Sequence, residues 1–131
     1  MIVDEAVFMR NVLKDFFESS GFEVVAEAAN GADAIRLYKQ HRPDLLTMDL
    51  ALPVLNGFQA MKEIRRYDPE AKIVICSAMG QQQIVLQAIY SGAKDFIVKP
   101  IMPERLLELV EKLLEPAGRQ ALPEGEPIVR R

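Results

Sequence analysis

The chain has 131 residues, 50% of them apolar, and a formal net charge of -3. That length supports one domain able to bury roughly two thirds of its unfolded surface. No basic run offers an electrostatic footprint for nucleic acid, no apolar run approaches the roughly 20 residues of a membrane span, and the lone Cys76 excludes a disulfide framework. Asp4 and Glu5 interrupt the apolar N-terminus at once, so no secretory leader is expected and the reading is cytoplasmic.

Met1–Val3 reads as a minimal first strand, short against the usual length of about 5–6 residues. From Val7 the spacing turns helical, with Phe8, Val12 and Phe16 on one i, i+4 row and Leu13 with Phe17 on the next, and Gly21 ends the helix. Phe22–Ala28 is rich in strand formers. The Asn30-Gly31 pair that follows is a strong hairpin signal in isolation, but Ala34, Ile35 and Tyr38 recur at helical spacing, so the pair opens a second helix ending near His41. Pro43 stops it. Leu45–Met48 is a short buried strand that delivers Asp49 into a loop holding Pro53, Asn56 and Gly57.

A third helix carries Phe58, Met61 and Ile64 and closes at Asp68-Pro69. Lys72–Ala78 has no polar alternation, the pattern of a strand covered on both faces. Gly80 breaks it, a fourth helix spans about Gln82–Ser91, and Gly92 turns into a fifth strand, Asp95–Lys99. Pro100 and Pro103 frame a last helix with Leu106, Leu109, Val110, Leu113 and Leu114. Five short strands alternating with five helices make parallel neighbours in one doubly wound α/β sheet. The domain spans 1–115, and Pro116–Arg131, rich in Pro and Gly, reads as a tail or linker stump.

Parallel strands deliver Asp4 with Glu5, Asp49, Ser77 and Lys99 to one rim, the edge where ligands collect in open α/β sheets. Clustered carboxylates repel unless something positive sits among them; a hard divalent ion such as Mg2+, with Lys99 as a second positive charge, suits oxygen ligands of this kind. In such a setting Asp49 is a candidate nucleophile towards a phosphoryl group, and the Ser77 hydroxyl a hydrogen-bond donor to it. Taken singly, Asp49 is a turn starter, Lys99 a solvated strand end, Ser77 a turn hydroxyl and Phe96 a core aromatic; their combination carries the chemistry. Cys76 reads as a small buried hydrophobe and His41 as a helix-end surface residue. The fourth helix has one apolar row in Ile84 and Ala88 and another in Val85 and Ile89, one more than packing on a sheet requires.

The segments IVDE, MDLALPVLNG, ICSAMG and DFIVKP, in this order and spacing, resemble the receiver domain of two-component response regulators, particularly the single-domain chemotaxis (CheY) type, over Met1–Glu115. The resemblance implies a flavodoxin-like sheet of order 2-1-3-4-5. It implies that Asp49 is phosphorylated by a sensor histidine kinase, that Asp4, Glu5, Asp49 and the backbone carbonyl of Ala51 hold Mg2+, and that Lys99 contacts the phosphoryl group. Ser77 and Phe96 would be the switch pair, and Val85, Ile89 and Val98 would face a downstream target, of the flagellar switch type or another. A phosphatase is a further implied partner; direct nucleic-acid or membrane binding is not implied. Such a module is a signalling phosphoacceptor that catalyses its own phosphorylation and slow dephosphorylation, rather than an enzyme with a released product.

Two departures stand out. Glu5 replaces a commoner second Asp, and Ala51 opens an apolar loop where many relatives are polar. A hydrolase using Asp49 would carry a second Asp two residues later, where Ala51 stands. Within the family the rival is a receiver cut from a longer regulator, such as a transcription factor, with Pro116–Arg131 as its linker.

Overall fold

The computed structural model describes residues 1–115, so the tail expected over 116–131 lies outside the described residues. In chain order the elements are β1 (Ile2–Val3), α1 (Val7–Ser19), β2 (Glu27–Ala28), α2 (Gly31–His41), β3 (Leu46–Met48), α3 (Gly57–Tyr67), β4 (Ile73–Ser77), α4 (Gln82–Tyr90), β5 (Asp95–Val98) and α5 (Pro103–Leu114). The strands form one five-stranded sheet of order β2-β1-β3-β4-β5, every pair parallel, which is the expected doubly wound arrangement.

The two faces of the sheet carry two cores. On one face α2, α3 and α4 pack Ala34, Tyr38, Met61, Ile64 and Ala88 against Met48, Ile73 and Ile75. On the other, α1 and α5 pack Leu13, Phe17, Leu106, Leu109 and Val110 against Ile2, Val74, Cys76 and Ile97. Successive side chains of β4 thus alternate between two buried faces, which is why its sequence shows no polar alternation.

Local chemistry sets the helix entries on the site side. Asn30 caps α2, its side chain accepting the Asp33 N–H at 2.8 Å, which settles the Asn30-Gly31 pair as a helix start and not a hairpin. Asn56 and Gln59 form a reciprocal capping box at α3. A Cβ on Gly57 would overlap the carbonyl oxygen of Asp49, so only glycine lets α3 begin this close to the end of β3.

Two expectations shift. The β-rich stretch Phe22–Ala28 contributes only Glu27–Ala28 to the sheet, because β2 is an edge strand whose one neighbour, β1, offers two residues to pair with. In α1 the buried positions are Leu13 and Phe17, with Met9 and Phe16 packed beside them, whereas Phe8 is 76% exposed and Val12 is also open. Periodicity showed two apolar rows; docking on the sheet selected one.

Candidate functional site

The site lies at the carboxyl edge of the central strands. β1 and β3 run side by side with Val3 opposite Met48, so the next residues, Asp4 and Asp49, emerge together. The ladder persists through them: Asp49 N–H donates to the Val3 carbonyl and Asp4 N–H to the Ala28 carbonyl, each at 3.0 Å. Backbone amides then fix the carboxylates. Asp4 Oδ1 accepts from the Ala6 N–H at 2.9 Å, and Asp49 Oδ1 from the Ala51 N–H at 3.2 Å.

The remaining oxygens converge on one ammonium. Lys99 Nζ donates to Asp4 Oδ2 and to Asp49 Oδ2, both at 2.8 Å, short charge-assisted bonds in a site where the Asp4 side chain is 5% and the Asp49 side chain 13% exposed. Burial pushes the Lys99 ammonium towards losing its proton, but the hydrogen bonds it donates to the two carboxylates, with their negative charge, outweigh it and hold its pKa above the ordinary lysine value. Two carboxylates on one ammonium leave a net negative charge. A further cation would complete the balance.

Lys99 is itself placed by β4, since its N–H donates to the Ser77 carbonyl at 2.9 Å. Ser77 is fully buried, and its hydroxyl accepts the Met79 N–H at 3.2 Å, turned to its own loop. Phe96, opposite Ile75 in the sheet, is buried in the core cluster with Ala88, alongside the partly buried Met79 and Val85. The loop after Ser77 bears directly on β5: a Cβ on Gly80 would meet the Val98 methyls at 2.9 and 3.0 Å.

Of the expected site residues, the structure brings Asp4, Asp49 and Lys99 into contact, with Ser77 joined through the backbone. It does not bring in Glu5, which is exposed; among the described residues no three His, Cys, Asp or Glu side chains converge as a metal cluster. The chain bends at Glu5, just beyond β1, and leaves that side chain in solvent while the Asp4 carboxylate is held by the Ala6 amide and Lys99. Ala51 is exposed at the mouth of the site, and on the α4 side Ile89 and Val98 are exposed while Val85 is half-buried. Cys76 is buried, which pushes its thiol up to about 12 and leaves it unreactive at neutral pH; His41 is exposed at the end of α2.

Two features carried no sequence signal. Val54 has φ 68, with the Leu55 N–H donating to the Pro53 carbonyl at 2.8 Å across it, a strained three-residue turn at a β-branched residue. Arg10 Nη1 donates to the carbonyls of Asp4 and Glu5 at 2.8 and 3.2 Å.

The model of the response regulator receiver domain matches residues 1–111. The chain belongs to this family. It is 55% identical over 114 residues to the chemotaxis protein CheY of Bacillus subtilis, covering 87% of this chain and 95% of that protein. It is 53% identical over 113 residues to the CheY of Thermotoga maritima, covering 86% and 94%. Among solved structures it resembles the CheX-CheY-BeF3-Mg2+ complex from Borrelia burgdorferi, with a TM-score of 0.84 and 35% identity over 88% of this chain and 87% of that one. The receiver is therefore CheY-like in sequence and in fold. Among the described residues no helix is long and apolar enough to cross a membrane.

Proposed function

We propose that this receiver accepts a phosphoryl group on Asp49 from a phosphohistidine of a sensor kinase in a chemotaxis-type pathway of the cytoplasm, and that the phosphorylated form presents an altered surface to a target protein. The observation that carries this reading is the pair of carboxylates, Asp4 and Asp49, held side by side by the single ammonium of Lys99. Two adjacent carboxylates with carbonyl oxygen nearby fit Mg2+, which takes one or two carboxylates and keeps several waters. Asp4, Asp49 and the Ala51 carbonyl are the candidate ligands, with Glu5 in reach from the solvent side through water. When bound, Mg2+ supplies positive charge to the phosphoryl oxygens and to the carboxylate cluster.

In the transfer itself, an Asp49 carboxylate oxygen attacks phosphorus. The new P–O bond forms as the P–N bond to imidazole breaks, and the imidazole nitrogen keeps the electron pair and takes a proton. Lys99, freed from part of its hold on Asp49, follows the charge onto a phosphoryl oxygen. Hydrolysis later returns the carboxylate and releases inorganic phosphate. For the output, Ser77 exchanges its bond with the Met79 amide for one with a phosphoryl oxygen, and the loop it belongs to bears on Val98 through Gly80. Phe96 already lies inward in this structure, in the core cluster with Ala88. Val85, Ile89 and Val98 then form the face offered to the target. The relative solved in complex with CheX supports a further protein partner of that kind for this chain.

Incubation with a small phosphodonor and Mg2+, followed by intact-mass measurement, tests the reading. The parent gains the mass of one phosphoryl group and Asp49→Asn gains none; an equal gain in the variant refutes the acceptor.

A further inference from the structure

We propose that Arg10 is a positioning residue for the metal site, fixing the acidic loop from behind without touching the ion; this rests on the phosphoacceptor reading above. The loop from Asp4 to Ala6 must hold its shape for the Asp4 carboxylate to keep its place, yet it enters α1 without the usual support. Ala6, at the N-cap position, makes no side-chain capping bond, and the first turn of α1 has no acidic residue. Arg10, one turn into the helix, reaches back instead. Its Nη1 donates to the Asp4 carbonyl at 2.8 Å and to the Glu5 carbonyl at 3.2 Å, so one planar group grips both peptide units that carry the acidic pair.

The far side of the guanidinium is tied to the sheet. Arg10 Nε lies 3.5 Å from Glu27 Oε1, and Glu27, which also sits 3.7 Å from Lys14 Nζ, pairs in register with Ile2 of β1. The Arg10 side chain is only 17% exposed, so these contacts hold it in one place. The result is a brace running from β2 through Glu27 and Arg10 to the loop of the site. The next residue of β2, Ala28, meets the same loop from its own end by accepting the Asp4 N–H.

Two effects of Arg10 on a bound cation oppose each other. Its positive charge near the acidic pair disfavours Mg2+; its grip on the loop favours it. The positions of the bonds put the grip first, because they fix the backbone of the residue that supplies a ligand, whereas the charge is partly cancelled by Glu27.

Magnesium titration of the full chain by calorimetry, with thermal unfolding of the metal-free protein alongside, separates the possibilities. Arg10→Met and Arg10→Lys each weaken Mg2+ about tenfold, the usual loss for a group that orients a metal ligand. At saturating Mg2+ both are phosphorylated by a small donor at close to the parent rate. Glu27→Gln keeps Arg10 but releases its far end, and weakens Mg2+ by roughly threefold, one step farther from the ion; it decides the matter where the Arg10 variants do not fold. Tighter or unchanged Mg2+ affinity in the variants, with or without a fall in melting temperature, overturns the proposal alone. A parent that binds no Mg2+ overturns the reading of the site together with it.

Discussion

The two edges of the sheet handle charge differently. At the amino edge, Tyr38 donates its hydroxyl to Asp68 Oδ2 at 2.7 Å, and Arg42 stands 3.7 Å from the same carboxylate and donates to the Tyr67 hydroxyl at 3.3 Å. Lys72 Nζ donates to the Leu113 carbonyl at 2.7 Å near the end of α5. The Tyr38 hydrogen bond, foremost, holds the Asp68 carboxyl below its ordinary range. Here a carboxylate meets both a cation and a hydroxyl, and the network joins α2 to α3. At the carboxyl edge two carboxylates share one lysine, a β-branched residue sits in a left-handed turn, and a serine hydroxyl is held only by its own loop. Matched charge accompanies structure, and surplus charge accompanies the rim we propose as the site for a cation and a phosphoryl group.

The sharpest break of this comparison is at Tyr38, almost wholly buried between α2 and α3. Tyr38→Ala is expected to cost about 3–5 kcal/mol in chemical denaturation, as for other buried aromatics. The folded fraction keeps its phosphorylation; a loss of phosphoryl uptake beyond the unfolded fraction would show that the edges are not separate.

Smaller and opposite in kind is the effect of Ala51→Asn combined with Met79→Glu. Hydrolysis of an aspartyl phosphate needs a water held in line with phosphorus, and neither Ala51 nor Met79 offers a group to orient it. The double variant should lose phosphate about tenfold faster, the value of one hydrogen bond worth roughly 1.4 kcal/mol in the transition state. Stability should stay close to the parent. Decay of phosphate in purified protein is the readout, and an unchanged rate removes water positioning as the limit on lifetime.

Between the edges lies Thr47 of β3, 1% exposed, whose hydroxyl has no partner among the described residues. Thr47→Val should therefore stabilise by about 1 kcal/mol, since a buried unpaired hydroxyl is replaced by a methyl of similar shape. A melting temperature raised by a few degrees with phosphoryl uptake unaltered would confine the site's surplus charge to the rim. A fall in melting temperature would mean that the hydroxyl has a partner after all.

Much of this was legible before any coordinate. Period and punctuation located all ten elements to within a few residues, apart from β2, because the strands are short, apolar and separated by Gly, Pro and Asn; motif order then matched the family. The carboxyl rim was legible too, since parallel strands must deliver Asp4, Asp49, Ser77 and Lys99 to one side. What stayed hidden depends on neighbours that periodicity does not specify. The extent of β2 follows from the two residues of β1 and not from its own composition. The buried face of α1 follows from where the helix meets the sheet, which leaves Phe8 outside. The exposure of Glu5, the turn at Val54 and the reach of Arg10 follow from backbone geometry in the loops, where spacing carries no information.

Thermal unfolding of the parent and of Asp49→Asn, each with and without saturating Mg2+, tests the account most directly. Without metal, removing one of two carboxylates that share Lys99 relieves repulsion, so the variant should melt at the same temperature or up to about 4 °C higher, the scale of roughly 1 kcal/mol in a domain of this size. Saturating Mg2+ should raise the parent more than the variant and erase that advantage. A metal-free variant that melts well below the parent, with no difference in response to Mg2+, would mean that Asp49 belongs to a balanced structural network like the one at the other edge, and would contradict the account.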